Sequence, residues 1–290
     1  MISTVPAPHN PPQQGKLPQS FAMAALFGIS RGARVTVPEF QRVASMLGYQ
    51  VDYKGVVMRQ SDLDLVMLLV HEAQIALEDQ AAALAGQSSK GVTVKISGYA
   101  LLKHLNLTGG DANYNSLNDT FSILKSQSIR TTQTSDDTSK KKLRSRVKEF
   151  NILVETEVIK DPATNRAAYA ITVSTSFLAL MAENIVKVNL LVRKKLKLGL
   201  ASWLHVFLTA AQDTTEPLRL QITLVHSLCG SDAQNMYEFS RSLKRALESV
   251  YEADPTLFLA ASVEKQELRV DWHPKKPTLP QFTQQELLEA

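Results

Sequence analysis

The spacing of apolar residues along the chain predicts one long helix in its first third. This helix begins at Ser61 and Asp62, which are suited to capping an N-terminus, and it runs to about Ala85. Its buried face consists of Leu63, Val66, Leu69, Val70, Ala73, Ala76 and Leu77. Ahead of it, the apolar positions of residues 35–47 also follow helical spacing, so we expect a short helix that begins near Pro38.

A short helix, a turn and a second helix follow. Residues 92–96 alternate as a strand, and Ser97 is suited to capping the short helix. Residues 106–111 have the composition of a turn, and the second helix covers residues 112–126. This order is the helix-turn-helix plan, in which the second helix lies in the DNA major groove. The side of that helix away from the core offers as candidate DNA contacts Asn113, Asn115, Ser116, Asn118 and Lys125.

A basic segment comes directly after this second helix. Residues 129–133 form a predicted strand, residues 134–139 a polar loop, and residues 150–159 a further strand. Six of the nine residues in the run 140–148 are Lys or Arg. A strand pair with a basic tip after a helix-turn-helix is typical of a winged helix, and its cations would contact DNA phosphates. A solvated loop is the alternative explanation for the candidates Lys140, Lys141, Lys142, Arg144 and Arg146.

The second half of the chain repeats this order. Its predicted elements are a helix over 198–212, a short strand over 217–220, a short helix over 223–228, a turn over 229–232, a helix over 233–251, and a hairpin over 257–263 and 268–272. Candidate DNA contacts in the turn and the long helix are Ser231, Gln234, Asn235, Arg241, Lys244 and Arg245. A basic cluster ahead of the first helix adds the candidate phosphate contacts Arg193, Lys194, Lys195 and Lys197.

These patterns together predict an α+β protein with two tandem winged-helix domains. The first domain would span residues 23–187 and the second residues 188–274. Residues 1–22 contain five prolines and are expected to form a flexible tail, and residues 275–290 would form a C-terminal tail. Two helix-turn-helix units in one chain arise by accident less readily than one.

Composition narrows the class of protein. The 290 residues are 44% hydrophobic and 21% charged, as in ordinary globular proteins rather than disordered ones. The net charge is only +4, so the positions of the cations matter more than their sum. A lone cysteine, Cys229, excludes a disulfide-rich secreted scaffold, and no apolar run reaches the roughly 18 residues of a membrane span. We therefore expect a cytoplasmic protein that does not contact membranes.

The motifs of common enzymes and metal sites are missing from the sequence. No Gly-Lys-Ser/Thr motif follows the glycines of residues 28–32, and the six histidines do not pair at ligand spacing. Asp62 and Asp64 are candidate metal ligands, but two acids at a helix start are explained more simply by the helix dipole. Cys229 is best explained as a small buried residue. We expect a protein that is not an enzyme and uses no metal or cofactor.

Short motifs in both halves resemble the plasmid replication initiators of the TrfA type, within the wider Rep group. The motif of the second half is Leu228-Cys229-Gly230-Ser231-Asp232, followed by a basic helix. The first half contains Ala25-Leu26-Phe27, then Val51-Asp52-Tyr53-Lys54-Gly55-Val56, then the long helix entered through Asp62 and Asp64. The resemblance covers about residues 24–273 and depends on the order of the motifs.

The resemblance implies two winged-helix domains that bind direct repeats, called iterons, in double-stranded DNA at a plasmid origin. Such proteins melt adjacent AT-rich DNA and recruit host replication proteins, which here would be a host initiator and the replicative helicase. Residues 233–244 would supply much of the base recognition. Gln234, Asn235, Met236 and Tyr237 stand where basic residues are expected, so the iteron sequence would differ. Members of the family can also form homodimers through the first domain and repress their own promoter.

Three alternatives stay open at this point. Gln284-Gln285-Glu286-Leu287-Leu288 is loosely similar to a peptide that binds the sliding clamp, and an ordinary amphipathic terminus is the simpler explanation. A dedicated transcriptional repressor would bind an operator without opening DNA. A replication adaptor would use its wings to hold proteins and would lack specific DNA affinity.

Overall fold

The computed structural model describes residues 12–46, 49–80, 90–137, 142–160, 167–182, 184–212, 216–264 and 266–273. For residues 79–80, 133–137, 142–146, 160 and 182 it describes the backbone alone. Its helices are α1 (Gln19–Ala22), α2 (Gln60–Gln80), α3 (Gly98–His104), α4 (Asp111–Ser126), α5 (Thr175–Leu178), α6 (Leu190–Lys195), α7 (Leu200–Ala211), α8 (Ile222–Leu228) and α9 (Met236–Ala253), with a 3₁₀ turn at Ala179–Ala182.

The strands of the described residues pair mostly in antiparallel fashion. They are β1 (Gln14–Pro18), β2 (Phe27–Gly28), β3 (Thr36–Arg42), β4 (Gln50–Val56), β5 (Met58–Arg59), β6 (Gly91–Ser97), β7 (Ser128–Asp137), β8 (Lys142–Phe150), β9 (Leu153–Lys160), β10 (Ala167–Ser174), β11 (Ile185–Asn189), β12 (Leu218–Gln221), β13 (Ala260–Glu264) and β14 (Glu267–Asp271).

The same order of elements occurs twice. In the first unit, α2 is followed by β6, α3, α4, β9 and β10, and the sheet has the strand order β6-β10-β9. In the second unit, α7 is followed by β12, α8, α9, β13 and β14, and the strand order is β12-β14-β13. In each sheet, therefore, the strand that comes first in the chain pairs with the strand that comes last. Each unit contains a helix pair at the place that the hydrophobic pattern predicted, α3 with α4 and α8 with α9.

Helix α2 forms the centre of the first unit. The predicted inner face is buried at Leu63, Val66, Leu69, Val70 and Ala73. Positions outside that face are buried as well, among them Leu65, Met67 and Leu68, because β1 and β6 both pack against the helix. A helix that is covered on several sides belongs to the core rather than to the surface. Leu77, near the C-terminal end, is 41% exposed.

The basic segment after α4 belongs to a different sheet from the one that the sequence analysis predicted. It forms the hairpin β7–β8, which pairs through β7 with β4 and extends a four-stranded sheet in the order β3-β4-β7-β8. The three-stranded sheet of the first unit is completed instead by β9 and β10, so the hairpin is an insertion. Ile129 of β7 lies opposite Tyr53 of β4, and both are buried. This apolar contact selects β4 as the partner.

Residues 36–42 form strand β3 and not the predicted helix. Pro38 lies within it, and β3 is an edge strand that pairs only with β4. Proline lacks an amide hydrogen and is tolerated on sheet edges, and the register shifts between Val37 and Gln41. The helical spacing of apolar residues was a misleading signal here, because pairing with a distant strand overrides local periodicity.

The predicted flexible tail is wrong for the part of residues 1–22 that the structure describes. Strand β1 pairs with β11 along its whole length, from Gln14 opposite Asn189 to Pro18 opposite Ile185. Leu17 is fully buried, and the Phe21 ring contacts the rings of Phe27, Phe150 and Phe177 at centroid distances of 5.4–6.3 Å. The N-terminal segment is therefore part of the core of the first unit. Strand β11 also crosses the boundary expected between residues 187 and 188.

We expect Leu17→Ala to lower the free energy of unfolding by about 2–5 kcal/mol, because it removes a fully buried side chain and leaves a cavity. Urea denaturation followed by circular dichroism would measure the change. The control is Val35→Ala at a position that is 63% exposed, where we expect almost no change. Equal stability of the two variants would show that residues 14–22 form a tail after all.

Candidate nucleic-acid interface

Helix α4 is held against the first unit by one buried stripe and two polar contacts. Leu117, Phe121 and Leu124 are buried, and the Phe121 ring lies 5.2 Å from the ring of Tyr169 in β10. The Thr120 hydroxyl donates to Asp62 of α2 at 3.4 Å and to the Ser116 carbonyl at 3.0 Å. These contacts turn the opposite side of the helix to solvent.

That solvent side contains four of the five candidates predicted on α4. Asn115, Ser116, Asn118 and Lys125 are all exposed. The Asn118 carbonyl oxygen accepts from the Tyr169 hydroxyl at 3.1 Å, which orients the side chain and leaves its amide group as a donor. Asn113 differs, because its amide donates to the Thr108 carbonyl at 2.8 Å and closes the turn ahead of the helix.

Helix α9 is built in the same way in the second unit. Asn235 caps it, and its side-chain oxygen accepts from the amides of Tyr237 at 2.9 Å and Glu238 at 3.3 Å. The helix therefore begins three residues later than predicted, at Met236. Its buried stripe consists of Phe239, Leu243, Leu247 and Val250, at the helical spacing of the apolar residues in the sequence.

The outer face of α9 carries cations and one exposed aromatic ring. Arg241, Lys244 and Arg245 are exposed, as the sequence analysis expected. Tyr237 was not among the candidates, yet it is 72% exposed in the first turn. The sequence could have identified Tyr237, because it is a large aromatic side chain on the polar face of an amphipathic helix. Such a ring has an apolar body that can contact a base or a sugar.

The turn between α8 and α9 uses its polar side chains to fix its own shape. The Ser231 hydroxyl oxygen accepts from the Ala233 amide at 3.2 Å, and the Gln234 amide group donates to the Asp232 carbonyl at 3.2 Å. Gly230 has φ +60°, a left-handed conformation that favours glycine. Burial raises the pKa of the Cys229 thiol to about 12, so this side chain is unreactive near neutral pH.

The basic hairpin is described only in part. Lys140 and Lys141 lie outside the described residues. Lys142, Arg144 and Arg146 occupy alternate positions of β8, where their backbones pair with Asp137, Ser135 and Gln133 of β7. The side-chain positions of these three lie outside the described part. The second basic cluster is clearer, since Lys194, Lys195 and Lys197 are exposed at and after the end of α6.

The structure contradicts the assignment of Arg193 as a phosphate contact. Its side chain is only 3% exposed, and its guanidinium binds Asp64 of α2 through Nε. Nη1 donates to the Ser202 carbonyl at 2.8 Å, and Nη2 donates to the Gln60 carbonyl at 3.0 Å. All three nitrogens are thus used within the protein. Arg193 joins the start of α2 in the first unit to α7 in the second.

The two carboxylates that were candidate metal ligands are each paired with an arginine. Asp62 is fully buried and binds Arg34 through both oxygens, at 2.6 and 2.9 Å, and it also accepts from the Arg59 amide at 2.7 Å. Burial raises the pKa of Asp64, and the neighbouring Arg193 opposes that rise. The described residues contain no group of three or more His, Cys, Asp and Glu side chains that would hold a metal ion.

A second contact joins the turn ahead of α9 to the first unit. The Ile29 amide donates to the Cys229 carbonyl at 3.0 Å, and the Ser30 hydroxyl donates to Asp232 at 2.8 Å. The backbones approach so closely that a Cβ at Gly230 would lie 3.2 Å from the Cα of Gly28. Because this turn leads directly into α9, the contact helps to set the position of α9 relative to the first unit.

Corresponding helices of the two units thus expose polar side chains. The family model described as RPA, replication initiator protein A, matches residues 18–251, which include most of both units. The chain belongs to this family of replication initiators. Membership implies DNA binding and interaction with the replication machinery. The class predicted from the sequence is thereby confirmed, and the TrfA type stays a prediction.

Solved structures show a similar fold. A crystal structure of RctB domains 2-3 matches with a TM-score of 0.52 at 11% identity and covers 86% of this chain and 95% of that chain. A structure of selenomethionine derivatives of RctB domain 2 and domain 3 matches with a TM-score of 0.53 at 12% identity, with coverages of 88% and 98%. No curated protein sequence matches the chain. None of the described helices is long and apolar enough to cross a membrane.

We expect Arg193→Met to lower the free energy of unfolding by about 3–5 kcal/mol, because it removes a buried guanidinium and leaves Asp64 and the carbonyls of Ser202 and Gln60 without their donor. Lys194→Met, at the adjacent exposed position, is the matched control and should change stability by less than about 0.5 kcal/mol. Urea denaturation measures both. Similar small losses in the two variants would contradict a structural role for Arg193.

Proposed function

We propose that the protein is a plasmid replication initiator of the TrfA type that binds iteron repeats at an origin. In this proposal the two units are tandem winged-helix domains, and α4 and α9 are their recognition helices, which enter successive major grooves of double-stranded DNA. One observation carries the proposal. Both units repeat the same topology and expose a polar face on the corresponding helix, and buried contacts join the units.

The repeated strand order supports a choice of wings for these domains. In this proposal the wings are the strand pairs β9–β10 and β13–β14, which correspond to each other in the two units. The hairpin β7–β8 is then an additional basic arm. Lys140, Lys141, Lys142, Arg144 and Arg146 are still proposed to contact phosphates, but from this arm and not from a wing.

The proposed DNA contacts divide into two kinds. Base edges would meet Asn115, Ser116 and Asn118 of α4, Gln234 in the turn ahead of α9, and Arg241, Lys244 and Arg245 of α9. Phosphates would meet Lys125, Lys194, Lys195 and Lys197. Asn113, Ser231 and Asn235 would act by shaping the ends of the two helices, because their side chains are already used in local hydrogen bonds.

Opening of AT-rich DNA beside the repeats needs no active site in this proposal. Binding energy and DNA deformation supply the work, so the protein would act in the cytoplasm without enzymatic activity, metal or cofactor. We propose a host initiator and the replicative helicase as its partners, with a homodimer as a second state. The peptide at residues 284–288, a candidate for binding the sliding clamp, lies outside the described residues.

The first test is binding of the purified chain to the repeat region of its own plasmid and to scrambled DNA, across a salt series, with a strand-opening footprint in the same samples. If about six cations contact phosphates, the log–log slope of affinity against salt should be about −5. Preference for the repeats together with opening of neighbouring AT-rich DNA is the expected result.

The other outcomes separate the alternatives. Specific binding without opening would favour a dedicated transcriptional repressor. Absence of preference over scrambled DNA would contradict both DNA-binding proposals and favour a replication adaptor that holds proteins.

We expect Arg241→Ala to reduce discrimination at one base position by about 1–3 kcal/mol, because an exposed arginine on a recognition helix is suited to bidentate contact with guanine. Competition binding against a library of single-base repeat variants would measure this. Arg42→Ala, which removes an arginine of β3 that is paired with Asp52 at 2.6 Å, is the control and should leave the base preferences unchanged. A uniform loss of affinity for every sequence would instead make Arg241 a phosphate contact.

A further inference from the structure

A small cleft lies at the junction of the two units, and we name it the junction cleft. It is lined by Ser30, Arg31, Arg59 and Ser61 of the first unit and by Gly199 at the start of α7, and its volume is about 140 Å³. That space accommodates several water-sized groups, so it is too small for a drug-sized ligand and large enough for a single phosphate group.

The junction cleft is positively charged, and hydrogen bonds fix the two arginine side chains that carry this charge. Arg31 donates from Nη2 to the Leu198 carbonyl at 3.3 Å, and Arg59 donates from Nη2 to the Gly32 carbonyl. A carbonyl contact fixes a guanidinium without cancelling its charge. The ion pairs of the described residues include neither Arg31 nor Arg59.

Other arginines at the junction are neutralised, which makes these two distinct. Arg34 is paired with Asp62 and Arg193 with Asp64, so their charges are compensated inside the protein. One carboxylate, that of Asp232, lies at the rim and accepts from Ser30. Two uncompensated arginines against one rim carboxylate leave the cleft suited to an anion.

The backbone around the cleft adds to this preference. Ser61 is exposed at the N-terminal end of α2, a helix of 21 residues. The dipole at the start of a long helix favours an anion, although the Asp62 carboxylate in the first turn already accepts from the Arg59 amide. Ser61 also brings a hydroxyl donor to the same side as the Arg59 guanidinium.

The cleft lies between the elements that position the two recognition helices. On one side, Ser30 binds Asp232, three residues ahead of the Asn235 cap of α9. On the other side, Ser61 adjoins Asp62, which accepts from Thr120 of α4. If α4 and α9 occupy successive major grooves, the sugar–phosphate backbone that separates those grooves passes this junction.

We propose that the junction cleft binds one backbone phosphate of the DNA segment between the two recognition helices, with Arg31 and Arg59 as its donors. This inference rests on the proposed function and deepens it. The contact would link the two half-sites by fixing their separation, because a phosphate held between the units sets the register of both helices on the duplex.

The experiment uses the full chain, repeat DNA and scrambled DNA, with the variants Arg31→Gln, Arg59→Gln and the double variant. Each single variant should weaken repeat binding about 10-fold and flatten the salt slope by about one. The double variant should also flatten the slope by about one, because both arginines contact the same phosphate. The control is Arg42→Gln, at the exposed arginine paired with Asp52, which should bind as wild type does. Thermal unfolding of each variant would verify that it folds.

A chemical change in the DNA tests the same contact without changing the protein. A single uncharged methylphosphonate is moved through the segment between the half-sites. At one position it should weaken wild-type binding about 10-fold and leave the double variant unaffected. If no position distinguishes the two proteins, the proposal is wrong.

Two further measurements separate a DNA phosphate from a free one and test the charge at the rim. If inorganic phosphate raises the melting temperature of wild type but not of the double variant, while both bind DNA with the same salt slope, the site holds a free anion and the proposal fails. Asp232→Asn should tighten repeat binding a few-fold, because it removes the opposing charge and keeps an acceptor for Ser30. Weaker or unchanged binding would place the phosphate elsewhere.

The outcome for wild type separates this proposal from the proposed function. If wild type prefers repeat DNA and the variants bind equally well, only the junction cleft proposal fails. If wild type shows no preference over scrambled DNA, the proposed function fails first.

Discussion

Two carboxylates near the start of α2, Asp62 in its first turn and Asp64 two residues later, are each paired with an arginine, and the rest of the structure depends on these two ion pairs. Asp62 binds Arg34 and accepts from Thr120 of α4, and Asp64 binds Arg193 of α6, which also donates to the Ser202 carbonyl of α7. A buried charge without its partner costs several kcal/mol, so these pairs have to form together with the core. One helix end therefore positions elements of both units.

This arrangement is consistent with the proposed function, in which two recognition helices have to be kept at a defined separation. The turn ahead of α9 packs against Ile29 and Ser30, and the start of α2 contacts α4. The exposed faces of α4 and α9 remain free of core contacts. Each of these helices therefore stabilises the core with one side and exposes the other, and the proposed function uses the exposed side.

The candidate site shows that the charge and polarity of residues in the sequence do not by themselves reveal which side chains are exposed. An exposed and a buried arginine look the same in the sequence, and Arg193 was grouped with Lys194, Lys195 and Lys197 for that reason. Only the fold shows that Asp64, 129 positions away, is its partner. Arg31 and Arg59 were missed for the opposite reason, since neither lies in a basic run. Asn235 and Asn113 were proposed as DNA contacts, and the structure shows their side chains capping α9 and closing the turn ahead of α4.

What the sequence by itself determined is the repeated order of helices and strands, including α2, the pairs α3–α4 and α8–α9, and the apolar stripe of α9. These depend on local periodicity and on capping residues, which a stretch of ten to twenty residues contains in full. The tertiary structure decided which strands pair. It placed residues 36–42 at a sheet edge, β7–β8 beside β4, and β1 against β11. The alternation of polar and apolar residues determines which face of a strand is buried, but it does not determine which strand lies beside it. The neighbouring strand depends on how segments that are distant in sequence pack together into one core.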